Sequence, residues 1–209
     1  MKKKIFYLFA GINGAGKTTL YNTSIFNNKN LGTRINTDEI VRKIGDWRLY
    51  KDQIAASRIA IKMRNTCIEN GETFNQESTL TGKNILKTIN EVKEKGYEIH
   101  LFYVGVESYN IAKERIKARV SHGGHDISPQ IVEKRYTESI NNLSKIIEKC
   151  IDVVVYDNTN SFKECIRKQD NMIQISLIQP KWTKKIIEEL EMSNRKKTIE
   201  IKNILIGKN

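Results

Sequence analysis

One glycine-rich run near the N-terminus carries the residues best suited to chemistry. It reads Gly11-Ile12-Asn13-Gly14-Ala15-Gly16-Lys17-Thr18 and is followed by Thr19. Its spacing fits the Walker A pattern of phosphate-binding loops, in which a glycine-rich backbone presents its amides to phosphate oxygens. The lysine adds a positive charge at the β- and γ-phosphates, and the next hydroxyl coordinates Mg²⁺. The run predicts an ATP site formed by residues 11–19, with Thr18 as the metal ligand.

A carboxylate follows the second predicted strand, in the segment Asn36-Thr37-Asp38-Glu39-Ile40. Ligands of open α/β sheets bind beyond the carboxyl ends of the strands, so this segment is expected near the nucleotide. Asp38 could accept the proton of an attacking hydroxyl or hold a water on Mg²⁺. The competing interpretation is that Thr37 or Asp38 caps the helix that follows. We favour catalysis, because a cap and a catalyst need different carboxylate directions.

The third predicted strand ends in the polar segment Gln76-Glu77-Ser78-Thr79. Polar side chains at this edge of the sheet suit recognition of a hydroxylated acceptor. Ser78 or Thr81 could instead cap the helix that is predicted to begin near Lys83. Spacing alone leaves both interpretations open.

Two arginines precede a pair of glycines in the second half of the chain. Arg115 and Arg119 lie one helical turn apart, and Gly123 and Gly124 can act as a hinge. Arginines on such a lid could reach the γ-phosphate of ATP, whereas the alternative is a solvated helix face. His125 comes next and is expected to be a polar loop residue or a cap.

Residues 153–157 resemble an apolar strand that ends in a Walker B aspartate, Asp157. Because this segment comes late in the chain, we interpret it as the end of a late strand. The loop after it, with Asn158, is predicted to line the adenine pocket.

The elements that must position these residues alternate along the chain. Apolar runs and helical periodicity predict strands at residues 5–10, 34–37, 72–76, 97–106, 151–156 and 172–178, and helices at 17–26, 52–70, 83–95, 109–120, 129–149 and 181–190. This alternation predicts an α/β fold of the three-layer P-loop kinase type, with a mainly parallel central sheet and helices on both faces. Residues 1–195 are predicted to form a single domain with a lid around 115–135, and 196–209 a C-terminal extension.

Composition restricts the class of protein further. The 209 residues carry a net charge of +12, which indicates either a polyanionic partner or simply a lysine-rich composition with scattered charges. The three cysteines, Cys67, Cys150 and Cys165, are too few and too widely spaced for a disulfide framework or a metal site. No run approaches the roughly 18 apolar residues of a membrane span. We therefore expect a cytoplasmic protein with no membrane association.

Taken together, these motifs resemble the zeta-toxin family of P-loop kinases over residues 5–160. The resemblance rests on the glycine-rich run, Asn36-x-Asp38, Glu77-Ser78-Thr79, the segment from Arg115 and Arg119 through Gly123-Gly124-His125-Asp126-Ile127-x-Pro129, Arg135-Tyr136 and Tyr156-Asp157-Asn158. Characterised members use ATP to phosphorylate the 3′-hydroxyl of UDP-N-acetylglucosamine. The resemblance therefore implies the same class of reaction, with an antitoxin protein as a further partner.

The resemblance also implies a role for individual residues. These are Lys17 at the phosphates, Thr18 on Mg²⁺, Asp38 as the catalytic base, Glu77 and Thr79 at the acceptor, and Arg119 with Arg135 as a phosphate clamp on the lid, Arg115 being the alternative to Arg119. Two other functions stay open, a nucleic-acid or nucleoside kinase and a non-catalytic ATP-binding switch or partner protein. Nucleic acid is the less expected ligand, because the chain has no basic stripe interleaved with aromatic residues.

Overall fold

The computed structural model describes residues 3–23, 29–193 and 199–201, which form an α/β fold around one sheet. The strands are β1 (Ile5–Ala10), β2 (Thr33–Ile35), β3 (Phe74–Ser78), β4 (Glu98–Gly105), β5 (Asp152–Asp157), β6 (Lys163–Gln169), β7 (Met172–Ile175) and β8 (Ile199–Ile201). The α-helices are α1 (Lys17–Tyr21), α2 (Thr37–Ile44), α3 (Tyr50–Asn70), α4 (Lys83–Glu94), α5 (Tyr109–Ser121), α6 (Pro129–Ile147) and α7 (Lys184–Ser193), with a 3₁₀ turn at Lys181–Thr183 before α7.

The strand order is β2-β3-β1-β4-β5-β6-β7-β8, and the first five of these strands are parallel. β6 runs antiparallel to both β5 and β7, whereas β8 runs parallel to β7. In the register of β1, Ala10 lies opposite Ser78 of β3 and Tyr103 of β4. The segments that follow β1 and β3 therefore leave the sheet at one edge, which confirms the predicted α/β fold with a mainly parallel sheet.

Helices cover both faces of the sheet. Apolar residues of α3, α4, α6 and α7 pack with Phe6 and Leu8 of β1 in the larger core cluster. On the other face, Leu20 of α1 and Ala112 of α5 pack with Phe9 of β1. Alternate side chains of β1 thus enter different cores, as expected for a strand buried on both sides. Among the described residues, no helix combines the length and the apolar character needed to cross a membrane.

Several predicted boundaries need correction. The second strand ends at Ile35 instead of residue 37, because Asn36 begins the capping of α2. The first helix ends at Tyr21, and residues 24–26 of its predicted extension lie outside the described residues. The last predicted strand ends at Ile175. β6 was not predicted, because its two apolar residues, Cys165 and Ile166, stand between pairs of charged residues and give no apolar run. Of the predicted extension 196–209, only residues 199–201 are described.

Candidate active site

The glycine-rich run forms a tight loop between β1 and α1. Gly11 and Gly14 have φ values of 135° and 80°, a region that favours glycine. A Cβ atom at Gly11 would lie 2.1 Å from the carbonyl oxygen of Val104, and one at Gly14 would lie 2.5 Å from that of Ala112. The loop therefore packs directly against the backbone of β4 and α5, and only glycine fits at these two positions. Such a cradle matches the predicted nucleotide loop.

Lys17 lies half-buried at the start of α1, and its Nζ donates a hydrogen bond of 3.1 Å to the carbonyl oxygen of Ile12. Desolvation lowers the pKa of Lys17 from its ordinary value, against the attraction of the Glu77 and Asp38 carboxylates. A desolvated ammonium held only by a backbone carbonyl gains strongly from an anionic ligand. Lys17 therefore fits the phosphates of ATP.

Thr18, Glu77 and Arg34 form a hydrogen-bonded chain beside the loop. The Thr18 hydroxyl donates to Glu77 Oε2 at 3.1 Å, and Arg34 Nη2 donates to Glu77 Oε1 at 2.5 Å. Arg34 also donates to Glu39 Oε1 and lies over the ring of Tyr21 at 3.4 Å from its centroid. Arg34 belongs to none of the sequence motifs, and its one signal in the sequence is a charged residue inside a predicted strand.

The Thr18 hydroxyl is the group in this chain that would hold Mg²⁺ with the phosphates of ATP. The described residues contain no group of three or more His, Cys, Asp or Glu side chains suited to a metal. Mg²⁺ in nucleotide sites takes few protein ligands and completes its shell with phosphates and water. Thr18, with Glu77 hydrogen-bonded to it, fits that arrangement.

Asp38 lies in the first turn of α2, but it does not cap that helix. The cap is Asn36, whose side-chain oxygen accepts from the backbone amides of Asp38 at 2.9 Å and Glu39 at 3.3 Å. The alternative that Thr37 or Asp38 is the cap is therefore wrong. The carboxylate of Asp38 is left half-exposed at the cavity described below, with its Oδ1 3.9 Å from Nδ1 of His125.

The turn after β3 contains the predicted acceptor residues. The hydroxyls of Thr79 and Thr81 share a hydrogen bond of 2.7 Å. Leu80 between them is fully buried with φ 57°, a left-handed conformation that non-glycine residues seldom adopt, and buried Asn142 donates to its carbonyl oxygen at 3.0 Å. Helix α4 begins after Gly82 with no side-chain cap, so neither Ser78 nor Thr81 caps it. The turn instead presents polar side chains to the cavity.

Within the described part of the chain, each of the predicted lid arginines donates a hydrogen bond. Arg135 Nη1 donates to Asn13 Oδ1 of the loop at 2.8 Å, and Arg119 Nη2 donates to the carbonyl oxygen of His125 at 2.6 Å. Arg115 Nη2 donates to the carbonyl oxygen of Thr159 at 3.0 Å, while its buried Nη1 has no partner. Desolvation lowers the pKa of Arg135, with Asp38 and Glu138 opposing.

His125 connects the lid to the other side of the cavity. Its ring stacks on Trp47, in the loop between α2 and α3, with centroids 4.9 Å apart and planes 14° apart. Burial lowers the pKa of His125, Asp38 opposes this, and Arg119 and Arg135 lower it further. The sequence predicts His125 as a polar loop residue or a cap and carries no signal for Trp47. The structure places the His125 ring at the half-exposed carboxylate of Asp38.

The end of β5 lies on the side of β1 that is opposite to β3. Asn158 Nδ2 donates to the carbonyl oxygen of Ala15 at 2.8 Å. Asp157 accepts from Trp182 Nε1 at 2.9 Å and from the Thr159 hydroxyl at 2.8 Å. Asp157 therefore belongs to the buried support of the strand end, consistent with its interpretation as a strand terminus and not a Walker B residue.

One open cavity of about 1170 Å³ brings most of the predicted residues together. Its walls include Asn13, Gly14, Gly16, Lys17, Thr18, Thr19, Asp38, Glu77, Thr79, Arg115, Arg119, Arg135 and Asn158. Gly11, Ile12 and Ala15 are buried behind these residues and support the loop. The glycine-rich loop, the half-exposed carboxylate of Asp38 and several arginines thus share one space.

Known proteins resemble this chain in sequence or in fold. An uncharacterized protein from Haemophilus influenzae is 39% identical over 134 residues, which are 64% of this chain and 92% of that protein. A chain of the AvrRxo1-ORF1:AvrRxo1-ORF2 complex with sulphate ions matches with a TM-score of 0.63 and 12% identity, over 79% of this chain and 58% of that one. This chain thus spans less than two thirds of that AvrRxo1 chain; the complex has also been solved with ATP.

A chain of the PezAT chromosomal toxin-antitoxin system of Streptococcus pneumoniae matches with a TM-score of 0.56 and 18% identity, over 78% of this chain and 71% of that one. These structural likenesses show a shared fold. The zeta toxin family model matches residues 1–169, which is most of the chain and includes all the cavity residues named above. The chain therefore belongs to the zeta toxin family.

Proposed function

We propose that the protein is an ATP-dependent kinase that transfers the γ-phosphate to a hydroxyl group of a small acceptor. One observation carries the proposal. Asp38 lines the same cavity as Lys17 and Thr18. Its carboxylate is not used as a helix cap, because Asn36 caps α2. A nucleotide switch needs the loop, whereas a half-exposed carboxylate at the same cavity that is not used as a helix cap is suited to accept a proton from a hydroxyl.

In the proposed reaction, the acceptor hydroxyl gives its proton to Asp38 while its oxygen bonds to the γ-phosphorus. The bond between the γ-phosphorus and the bridging oxygen breaks, and ADP leaves with that oxygen. Lys17 would neutralise charge on the transferring phosphate, and Arg119 and Arg135 would do so from the lid. Mg²⁺, when bound beside Thr18, supplies further charge neutralisation at the β- and γ-phosphates.

The size of the cavity supports a second substrate. A volume of about 1170 Å³ exceeds the roughly 300–1,000 Å³ typical of a site for a single ligand. UDP-N-acetylglucosamine is the acceptor that the family resemblance suggests, with Glu77 and Thr79 as its contacts. Glu77 also accepts from the Thr18 hydroxyl, so it lies between the metal ligand and the acceptor turn.

Two incubations with ATP labelled on the γ-phosphate test this proposal, one with purified UDP-N-acetylglucosamine and one with a metabolite extract. We expect label on a hydroxyl-bearing small molecule with the wild-type protein, and a much weaker signal with Asp38→Asn. Transfer to an added oligonucleotide or nucleoside alone would favour the alternative kinase class. ATP binding with no transfer to any acceptor would refute the kinase proposal and favour a switch.

An antitoxin partner is also proposed, because the PezAT neighbour is part of a toxin-antitoxin system. If the chain acts as a toxin, its expression should arrest growth, and Lys17→Ala should relieve the arrest at equal protein level. Growth arrest by both the wild type and Lys17→Ala would mean that the toxicity does not depend on nucleotide chemistry.

A further inference from the structure

His125, in the loop between α5 and α6, has contacts with residues on both sides of the cavity. Its ring stacks on the indole of Trp47, with the ring centroids 4.9 Å apart. Its Nδ1 lies 3.9 Å from Oδ1 of Asp38, in the first turn of α2. Its backbone carbonyl oxygen accepts a hydrogen bond of 2.6 Å from Nη2 of Arg119. One lid residue thus connects an arginine of α5 with the carboxylate on the other side of the cavity.

Trp47 lies in a turn whose hydrogen bonds hold it in place. Its backbone carbonyl oxygen accepts from Gln53 Nε2 at 2.6 Å. The backbone amide of Asp46 donates to Asp52 Oδ2 at 2.9 Å, and the backbone amide of Arg48 donates to Asp46 Oδ1 at 2.9 Å. The guanidinium of Arg48 lies over the indole, 4.8 Å from its centroid. The indole is therefore a fixed surface against which the lid packs.

The groups that face the His125 ring favour its neutral form. Burial lowers the pKa of His125, and the Asp38 carboxylate opposes this. Arg119 and Arg135 lower the pKa further, and Asp126 raises it. Because the pKa lies below the ordinary value near 6.5, the imidazole is uncharged at neutral pH and carries one proton. With that proton on Nδ1, the ring can donate to the carboxylate and leave its negative charge in place.

We propose that His125 is a positioning residue for Asp38. Its Nδ1–H donates to one oxygen of the Asp38 carboxylate when the substrates bind, and this leaves the second oxygen to take the proton of the acceptor hydroxyl. The separation of 3.9 Å is longer than a hydrogen bond, but such contacts in catalytic sites are often long without substrates and shorten when they bind. The stack on Trp47 fixes the ring, and the His125 carbonyl holds Arg119 at the same cavity. The proposal rests on the proposed function and applies whichever acceptor is used.

The fluorescence of Trp47 tests these contacts without any acceptor. A protonated imidazole quenches a stacked indole more strongly than a neutral one, so the emission of Trp47 reports the protonation of His125. The signal of Trp47 is the difference between the pH profiles of the wild type and Trp47→Phe. We expect quenching with a midpoint below pH 6.5, the ordinary value for histidine, and no such step in His125→Phe.

Asp38→Asn tests whether the carboxylate faces the ring. It should move the midpoint to lower pH, because it removes the negative charge that stabilises the imidazolium. His122→Ala is the matched control: His122 is exposed at the end of α5, contacts the carbonyl oxygen of Ala118 and is not among the cavity residues. Its midpoint should equal that of the wild type. A midpoint that Asp38→Asn leaves unchanged, or emission that does not titrate with His125, overturns the proposal.

A kinetic experiment separates the polar contact of the ring from its stack. His125→Phe keeps a ring on Trp47 but has no Nδ1, whereas Trp47→Ala leaves the imidazole without its support. Each should lower kcat for the transfer of labelled phosphate about tenfold or more, the loss typical of a hydrogen bond to a charged group, and leave ATP affinity unchanged. Trp47→Phe keeps an aromatic surface and should retain most of the rate. His122→Ala should transfer as the wild type does.

The possible outcomes distinguish this proposal from the proposed kinase. Melting temperatures establish that each variant is folded. Because His125 and Trp47 act together, His125→Ala combined with Trp47→Ala should lose little more than either change alone, and losses that multiply would contradict the positioning role. Transfer by the wild type that His125→Phe leaves unchanged refutes the positioning role alone. If the wild type transfers phosphate to no acceptor although Trp47 titrates with His125, the proposed kinase is refuted, and the role of His125 with it.

Discussion

Replacement of Asp38 by Asn separates the roles that this residue could have. The substitution keeps the shape of the side chain and most of its hydrogen bonding, but an amide cannot take the proton of an acceptor hydroxyl. Loss of a general base typically slows a reaction by about 10²–10⁴, which corresponds to about 3–5 kcal/mol in the activation free energy. We therefore expect acceptor phosphorylation to fall by that factor.

The effect on stability should be much smaller. Asn36 supplies the helix cap, so Asp38 contributes to α2 only through its charge in the first turn. That charge is worth about 0.3–1 kcal/mol at an exposed helix N-terminus. The unfolding free energy of Asp38→Asn should thus change by no more than about 1 kcal/mol, several times less than the change in the activation free energy.

Asn36→Ala is the matched control, because it removes the two hydrogen bonds of the cap and leaves Asp38 in place. It should cost about 1 kcal/mol of unfolding free energy, the usual value for a lost cap. The assay measures transfer of labelled phosphate, ATP affinity by calorimetry, and urea unfolding for both variants. If Asp38→Asn keeps the wild-type rate while its stability falls as that of Asn36→Ala does, the assignment of Asp38 as the base is refuted. If Asp38→Asn keeps a normal rate but requires a different Mg²⁺ concentration, Asp38 acts through the metal ion and not as the base.

Four further predictions follow from the site. Lys17→Ala should weaken ATP·Mg²⁺ binding about 10- to 100-fold by calorimetry, and unchanged affinity together with unchanged turnover would contradict the phosphate-loop assignment. Arg135→Lys should slow transfer by at least about tenfold, since a transition-state arginine can be worth about 10³–10⁵; a full rate in the folded variant would make Arg135 a surface residue. Glu77→Gln should raise the acceptor KM and leave ATP affinity unchanged, whereas a weakened Mg²⁺ dependence without an acceptor effect would assign it to the metal. Because burial lowers the pKa of His125 below its unfolded value near 6.5, stability should be fully present above pH 6.5 and fall as the pH drops toward the folded pKa; equal pH profiles for the wild type and His125→Asn would contradict this.

The sequence alone was sufficient for the glycine-rich loop between β1 and α1 and for the strands β1, β4 and β5. The loop is a local structure: an apolar strand, glycines at the positions with positive φ, and a lysine and a hydroxyl at the start of a helix all lie within residues 5–18. Apolar runs predicted β1, β4 and β5 well, because the apolar residues that mark a buried strand lie next to one another in the sequence. The family resemblance also named Asp38, Glu77 and Arg135, and all three line the cavity.

The tertiary structure decided which partners these residues have. The hydrogen bond from Arg135 to Asn13 joins positions 122 residues apart, and that from Arg34 to Glu77 joins positions 43 apart. Local spacing did not determine which residue caps α2, and the hydrogen bonds that the Asn36 side chain accepts identify Asn36 as the cap. The stacking of His125 on Trp47 and the unpaired Nε of Arg64 have no local signature at all. A sequence determines which hydrogen bonds a side chain can donate or accept. The packing of distant elements determines whether the side chain has a partner inside the protein or can still bind a ligand.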